Sequence, residues 1–155
     1  MKITIVAVDL RSPAWAFTAV EDYLTRFPRD WKVELKTVKE EPRHGQSKSD
    51  LMAAEADRIR KAIPKGSLLV TLDERGKDLT TVEFAKKLSA WQDSGESVAF
   101  VIGGTDGIDP ALKQESRMMI RLSSMTLPHA LARVILSEQI YRAWSILNNH
   151  PYHRA

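Results

Sequence analysis

The stretch Ile3 to Val8, ITIVAV, is a β-rich apolar run and predicts a first strand. Ser12 and Pro13 then supply an N-cap residue followed by proline at the first helical position. Trp15, Val20, Tyr23, Leu24 and Phe27 recur at near-helical spacing until Pro28 halts the segment, which predicts a first helix. In DWKVELKTV, Trp31, Val33 and Leu35 alternate with Lys32, Glu34 and Lys36, the period of a strand with one wet face that belongs towards a sheet edge. Lys39 to Asp50 is polar and broken by Pro42 and Gly45, the composition of a mobile surface loop whose basic residues can touch a partner. Ser47 with Asp50 resembles a capping box, and Met52, Ala56, Ile59 and Ile63 form the apolar stripe of a second helix that ends before Pro64 and Gly66.

Ser67 to Leu72 is short and continuously apolar, as in a strand covered on both faces. After the polar DERGKD, Thr80 and Glu83 stand at capping-box spacing ahead of Phe84, Leu88 and Trp91, one face of a helix that runs to Ser94-Gly95. Ser97 to Ile102 reads as another buried strand. Asp109-Pro110 can cap a short helix, and Met118 to Ser123 reads as the last strand. From Pro128 to about Asn148 the chain has neither glycine nor internal proline and is apolar around much of a helical circumference. Such a helix is buried on more than one side, one being the sheet and the other most simply a second copy of the chain, a homodimer. The order β-α-β-α-β-α-β-α-β-α predicts an α/β fold, a mostly parallel sheet with helices on both faces. Ligands in such sheets bind beyond the carboxyl ends of the strands.

Length and composition narrow the class. A chain of 155 residues fits one domain, 1–155, and 43% hydrophobic with 28% charged residues is ordinary for a globular protein. There is no cysteine, so disulfides and thiolate metal sites are excluded, and a reducing, cytoplasmic setting is compatible. The first fifteen residues have too short an apolar run for a secretory signal, and no stretch nears the roughly 20 apolar residues of a membrane span, so a soluble protein with no membrane association is expected. A net charge of +3 with a pI near 9.2 mildly favours polyanionic partners without requiring them.

Three groups of residues carry candidate chemistry. The turn after the first strand, VDLRSPAW, lacks the glycines of a dinucleotide fingerprint, and neither a triphosphate loop nor a nucleophile elbow is present. Glycines instead follow the fourth strand in VIGGTDG, where Gly103, Gly104 and Gly107 either let backbone approach a ligand closely or simply make turns. LSSMTLPHA, Leu122 to Ala130, mixes hydroxyls, apolar side chains and proline at a helix entrance, which suits a flat ring held between apolar walls and equally suits an ordinary connection. His129 and Arg133 lie one turn apart on the long helix, as do Glu138 and Arg142. The latter pair has the acid nearer the N-terminus, the favourable order; it is either a surface ion pair or, on so apolar a helix, a partly buried pair with a role. At the tail, NNHPYHRA puts His150, Tyr152, His153 and Arg154 together. The two histidines lack a third ligand nearby, so no metal is expected; a ring, imidazoles and a guanidinium better suit a base and a phosphate.

Taken in order, VTLDERGK, VIGGTDG, LSSMTLPHALARV, EQIYRAWSI and NHPYHR resemble the RlmH family, small bacterial methyltransferases of the SPOUT superfamily. The resemblance spans the whole chain and is most specific in its last third. It implies a C-terminal trefoil knot, which general topology rules would reject. It also implies S-adenosylmethionine as cofactor, a homodimer, and methylation of N3 of a pseudouridine in 23S ribosomal RNA on the assembled ribosome. Carried over by motif, the cofactor site is Leu72, Gly103, Gly104, Gly107 and Leu122, Ser123, Ser124, Met125, Thr126 and Leu127. Thr105 and Ala130 stand where many relatives have proline, with the glycines and His129 unaffected. On this reading His153 or Glu138 assists deprotonation of the base, and Arg142 and Arg154 stabilise negative charge or hold a phosphate. Tyr152 stacks on or positions the base, while His129 and Arg133 support the knot and tail. The tail then lies across the cofactor pocket of the dimer. The rival readings are the same fold acting on another RNA and a non-catalytic ribosome-binding module.

Overall fold

Strands and helices alternate along the whole chain in the computed structural model, which describes residues 1–154. They are β1 (Lys2–Asp9), α1 (Ala14–Leu24), β2 (Lys32–Lys39), α2 (Lys48–Ala62), β3 (Leu68–Asp78), α3 (Thr81–Asp93), β4 (Val98–Ile102), α4 (Pro110–Glu115), β5 (Met118–Arg121) and α5 (His129–Leu147). The five strands form one sheet in the order β2-β1-β4-β3-β5, and every pairing is parallel. β2, the alternating strand, takes one edge as its pattern implies. β4, buried at every residue, lies at the centre.

Helices cover both faces, again as the pattern requires. On one face Ile3, Ile5, Val70 and Phe100 pack with Phe84 and Leu88 of α3 and Leu136 and Ile140 of α5. On the other, Val6, Val8 and Val101 pack with Ala56 and Ile59 of α2 and Leu112 of α4. α5 is flanked by α1 and α3, so part of its all-round apolar character is spent within the chain rather than on a second copy. The Thr80–Glu83 capping box opens α3 in full, both reciprocal bonds being made. Ser47 accepts the N–H of Asp50 at the start of α2.

The structure corrects several boundaries. Pro13, not Ser12, is the N-cap of α1, and no side chain caps that helix. α1 stops at Leu24, short of Pro28; Phe27 lies beyond it and instead stacks on Trp31. Asp109 is the N-cap of α4 with Pro110 following, but its carboxylate makes no capping bond. β5 ends at Arg121, before the serines.

The largest departure is DERGKD, which continues β3 to Asp78 rather than forming a loop. Ile120 is the Cα partner of both Leu72 and Lys77. One strand residue has only two edges to offer, so residues 73–76 carry the chain from one side of β5 to the other. Gly76 makes that passage possible: a Cβ on it would stand 2.5 Å from the carbonyl carbon and 2.7 Å from the backbone nitrogen of Ile120. Wrapping of one segment about a later one is the local geometry a C-terminal knot requires.

Because both obstructing atoms are backbone, Gly76→Ala should cost about 1–3 kcal/mol, the range for forcing a methyl group into a packed site. The cost is read as a lowered urea midpoint; an unchanged midpoint would show that 73–76 does not run against β5.

Candidate functional site

The carboxyl ends of β1, β3, β4 and β5 surround a cavity of about 610 Å³. This is the crevice where ligands of open parallel sheets bind. Leu72, Gly103, Gly104, Gly107, Leu122, Ser123, Met125, Thr126 and Leu127 all line it, as does His129 at the start of α5. Ser124, which the motif includes with them, is outside the lining, and Met125 is 78% exposed at the rim.

The glycine turn is tight for internal reasons. Gly107 donates its N–H to the Gly104 carbonyl at 3.0 Å, and a Cβ on Gly103 would sit 2.8 Å from the Gly107 carbonyl carbon. Turn-making alone accounts for these contacts. The polar loop ahead of α2 is pinned onto this turn rather than left free. Arg43 pairs with Asp106 at 2.5 Å, Thr105 donates to Glu40 at 3.2 Å, and the N–H of Glu41 donates to the buried Glu55 at 3.0 Å.

Sequence reasoning missed Leu10, Ile102 and Ile108 of the lining, and the pair Asp73–Lys113 at 2.6 Å. Burial works against the charge of Asp73, but the Lys113 ammonium and the N–H of Arg75 outweigh it and hold the carboxyl below its usual range. Asp73 directly follows Leu72 and was within reach of the motif. Lys113 comes from α4, and only the folded topology brings it there.

His129 and Arg133 sit where α5 meets the end of β1. Both ring nitrogens of His129 are buried without partners; burial first, then the Arg133 charge, push its pKa down to about 4 against the opposing pull of Asp9. It is therefore neutral near pH 7. Arg133 is 1% exposed, donates from Nη2 to the Val8 carbonyl at 3.3 Å and lies 5.7 Å from the Phe17 ring centre. It ties the last helix to the first strand.

The remaining residues gather elsewhere. Glu138 Oε2 accepts from Arg142 Nε at 2.9 Å and Nη2 at 2.8 Å and from the Tyr152 hydroxyl at 2.7 Å, while Oε1 accepts from Gln139 at 2.7 Å. The Glu138–Arg142 pair is thus no isolated surface bridge. Hydrogen bonding to Glu138 raises the Arg142 pKa further above its ordinary value. Tyr152 packs edge-on against Tyr141 at 4.8 Å, with the Arg142 guanidinium 5.0 Å from its ring; burial and its bonds to Tyr23 and Glu138 push its pKa up. His153 Nδ1 lies 2.8 Å from Ser145 Oγ, and Arg154 is exposed. So the tail does fold back, but onto the C-terminal half of α5. Eighteen residues of helix separate His129 from Leu147, about 27 Å at 1.5 Å per residue. The tail packs along the second half of that helix, from Glu138 to Ser145, while the cavity borders its first turn through His129.

No group of three or more potential metal-binding side chains occurs among the described residues, and none of their helices is long and apolar enough to cross a membrane. The chain matches the family described as "Predicted SPOUT methyltransferase" over residues 1–153. It is 57% identical over 154 residues to the "Ribosomal RNA large subunit methyltransferase H" of Paracidovorax citrulli, covering 99% of each chain. Proteins of the same name from Albidiferax ferrireducens, at 58% over 99% of each, and Burkholderia thailandensis, at 53% over the whole of each, are similarly close. In fold it is similar to "a probable methylase family protein from Haemophilus influenzae Rd KW20", with a TM-score of 0.61, 18% identity, and 99% of this chain and 70% of that one covered.

The buried imidazole has a thermodynamic consequence. Between pH 6.5 and about 4 the unfolded chain protonates His129 and the folded chain does not, so unfolding takes up a proton and stability falls as pH falls. The penalty at the acid end has a ceiling on the order of 3 kcal/mol at about 1.4 kcal/mol per pH unit. His129→Gln should lose less stability than the parent between pH 7 and pH 4.5 in urea titrations; equal losses would contradict a buried neutral His129.

Proposed function

Because the chain belongs to the SPOUT methyltransferase family, we propose that it methylates N3 of a pseudouridine in 23S ribosomal RNA, taking the methyl group from S-adenosylmethionine and acting on the assembled ribosome. The observation that carries the reading is the coincidence of nine motif residues around one cavity at the carboxyl ends of the sheet. Relatives over half identical along their full length bear a name that specifies large-subunit ribosomal RNA. The trefoil knot is what membership in the family implies, and chain 1–155 works as a single domain in the cytoplasm.

The cavity suits such a cofactor. At about 610 Å³ it falls within the size range of small-molecule sites. Leu72, Ile102, Leu122 and Leu127 give apolar walls for adenine, and the Gly103–Gly107 turn presents backbone to its edge. Asp73 keeps a negative charge beside a cationic ligand. When bound, the cofactor supplies an electrophilic methyl group on a sulfonium, so the protein's task is alignment and removal of the N3 proton. Both oxygens of Glu138 are occupied by donors, which makes it a clamp for Arg142 and Tyr152 rather than the base. His153 is the proton acceptor, Arg142 and Arg154 stabilise charge on the base or hold a phosphate, and Tyr152 positions the ring.

Because a protomer's tail packs along the second half of α5 while its cavity borders the first turn, the site is completed by a second copy. The homodimer has a surface ready for it: Trp15 and Phe17 on α1 are 52% and 44% exposed, and Leu131 on α5 and Met125 on the rim are also uncovered. Apolar groups of that size clustered beside a ligand cavity mark an interaction surface.

Deleting Tyr152 to Ala155 should abolish transfer of labelled methyl groups to unmethylated ribosomes, while sedimentation and calorimetry show dimerisation and cofactor binding largely intact. Full activity in the shortened protein would overturn this reading.

A further inference from the structure

Ser145 lies wholly buried on α5 beneath the tail, and its hydroxyl touches two groups. Oγ is 3.0 Å from the backbone carbonyl oxygen of His150 and 2.8 Å from Nδ1 of His153. A serine hydroxyl has one proton to give, and a carbonyl oxygen can only accept. The contact with His150 therefore takes that proton. The contact with His153 is then favourable in one arrangement alone: Nδ1 carries hydrogen and donates it to Oγ. The neutral imidazole of His153 is fixed with its proton on Nδ1, which leaves the Nε2 lone pair open. Nε2 makes no hydrogen bond among the described residues and is not among their buried, unpartnered atoms.

The neighbouring histidine is held the other way. The backbone N–H of Tyr152 donates to Nδ1 of His150 at 3.2 Å, so that nitrogen is an acceptor and the proton of neutral His150 is on Nε2. The contacts thus favour opposite tautomers for two imidazoles three residues apart, His150 through a backbone N–H that can only donate and His153 through a hydroxyl whose proton goes to the His150 carbonyl. Ser145 is in turn anchored from outside the tail, since it belongs to the body of α5 and its own carbonyl accepts the N–H of His150 at 2.9 Å.

We propose that Ser145 is a positioning residue for the methyl transfer, holding His153 in the Nδ1–H tautomer so that Nε2 is the atom that accepts the N3 proton of the target base. The inference rests on the functional reading of His153 given above. In the step itself the N3–H bond breaks and an Nε2–H bond forms, giving an imidazolium whose Nδ1–H still bonds to Ser145. The electron pair left on N3 forms the new bond to the methyl carbon as the carbon–sulfur pair departs with sulfur. A histidine with its proton on Nε2 would present a donor where an acceptor is needed. Ser145 therefore acts through His153 and touches neither base nor cofactor.

The test begins with nitrogen-15 NMR of the histidine side chains in the intact protein above their titration range. Opposite tautomers are expected, Nδ1–H for His153 and Nε2–H for His150; an Nε2–H tautomer at His153 would overturn the proposal without any variant being made. In Ser145→Ala, His153 should shift towards Nε2–H, and kcat on ribosomes should fall at least 10-fold with cofactor affinity unchanged. Ser145→Cys, whose sulfur still accepts, should recover part of the loss. An unaltered kcat in Ser145→Ala would overturn the positioning role. Full activity in His153→Gln would instead remove the reading of His153 as the base, leaving the tautomer result to stand by itself.

Discussion

Everything at the working end of this molecule depends on the passage of residues 73–76 around β5. With Gly76 against the backbone of Ile120, the end of β3 is locked to both sides of the last strand. Leu72 is paired with Ile120, and Leu72, Asp73, Leu122 and Ser123 line one cavity. β4, between β1 and β3, brings the Gly103–Gly107 turn into the same space. The cavity is a consequence of strand order and of one close backbone contact, with the lining side chains supplying its chemistry. An ordinary parallel sheet could place four loops at one edge, but their spacing would be left to loop packing. Here part of it is set by the close approach of the Gly76 backbone to that of Ile120.

The second determinant is the length of α5. Its first turn borders the cavity through His129, and its last turns hold the tail through Glu138, Tyr141 and Ser145. The helix holds these two groups of residues at different positions along its length. The charges follow this division. At the start of α5, His129 is neutral and Arg133 is bonded to a single carbonyl, while Asp73 with Lys113 and Asp106 with Arg43 form ion pairs around the cavity. At the tail, Glu138 gathers three donors into a fixed polar cluster. The first arrangement belongs to the scaffold, and the second holds the tail side chains in fixed orientations.

Much of this was legible in the sequence because burial on two faces writes itself as apolar periodicity. ITIVAV and SVAFVI became central strands, the alternating DWKVELKTV became an edge, and Thr80 with Glu83 marked a helix start that the structure reproduces. The third strand was ended at Leu72, short of DERGKD, for a physical reason. That segment lies on the outer side of β5, where Glu74, Arg75, Lys77 and Asp78 face solvent, and charged residues on an exposed edge look like turn composition. Ser12 lost its capping role to a proline whose extended backbone serves the purpose alone. Of the site, the glycine turn, the LSSMTL loop and the tail were visible by residue type and motif. Lys113 and Leu10 were not, since only topology brings them in. The docking of the tail on the second half of α5, away from the cavity at its first turn, is likewise absent from any local pattern.

The central claim is that cavity and tail function together only across two copies. It is tested most directly by mixing two inactive proteins, one lacking Tyr152 to Ala155 and one with its cavity filled by Leu127→Trp, and measuring methyl transfer to unmethylated ribosomes. Mixed dimers contain one intact cavity facing one intact tail, so activity should reappear on mixing and rise with subunit exchange. If each variant is dimeric, exchange is demonstrated and the mixture stays inactive, the two halves do not meet across the dimer and the account is wrong.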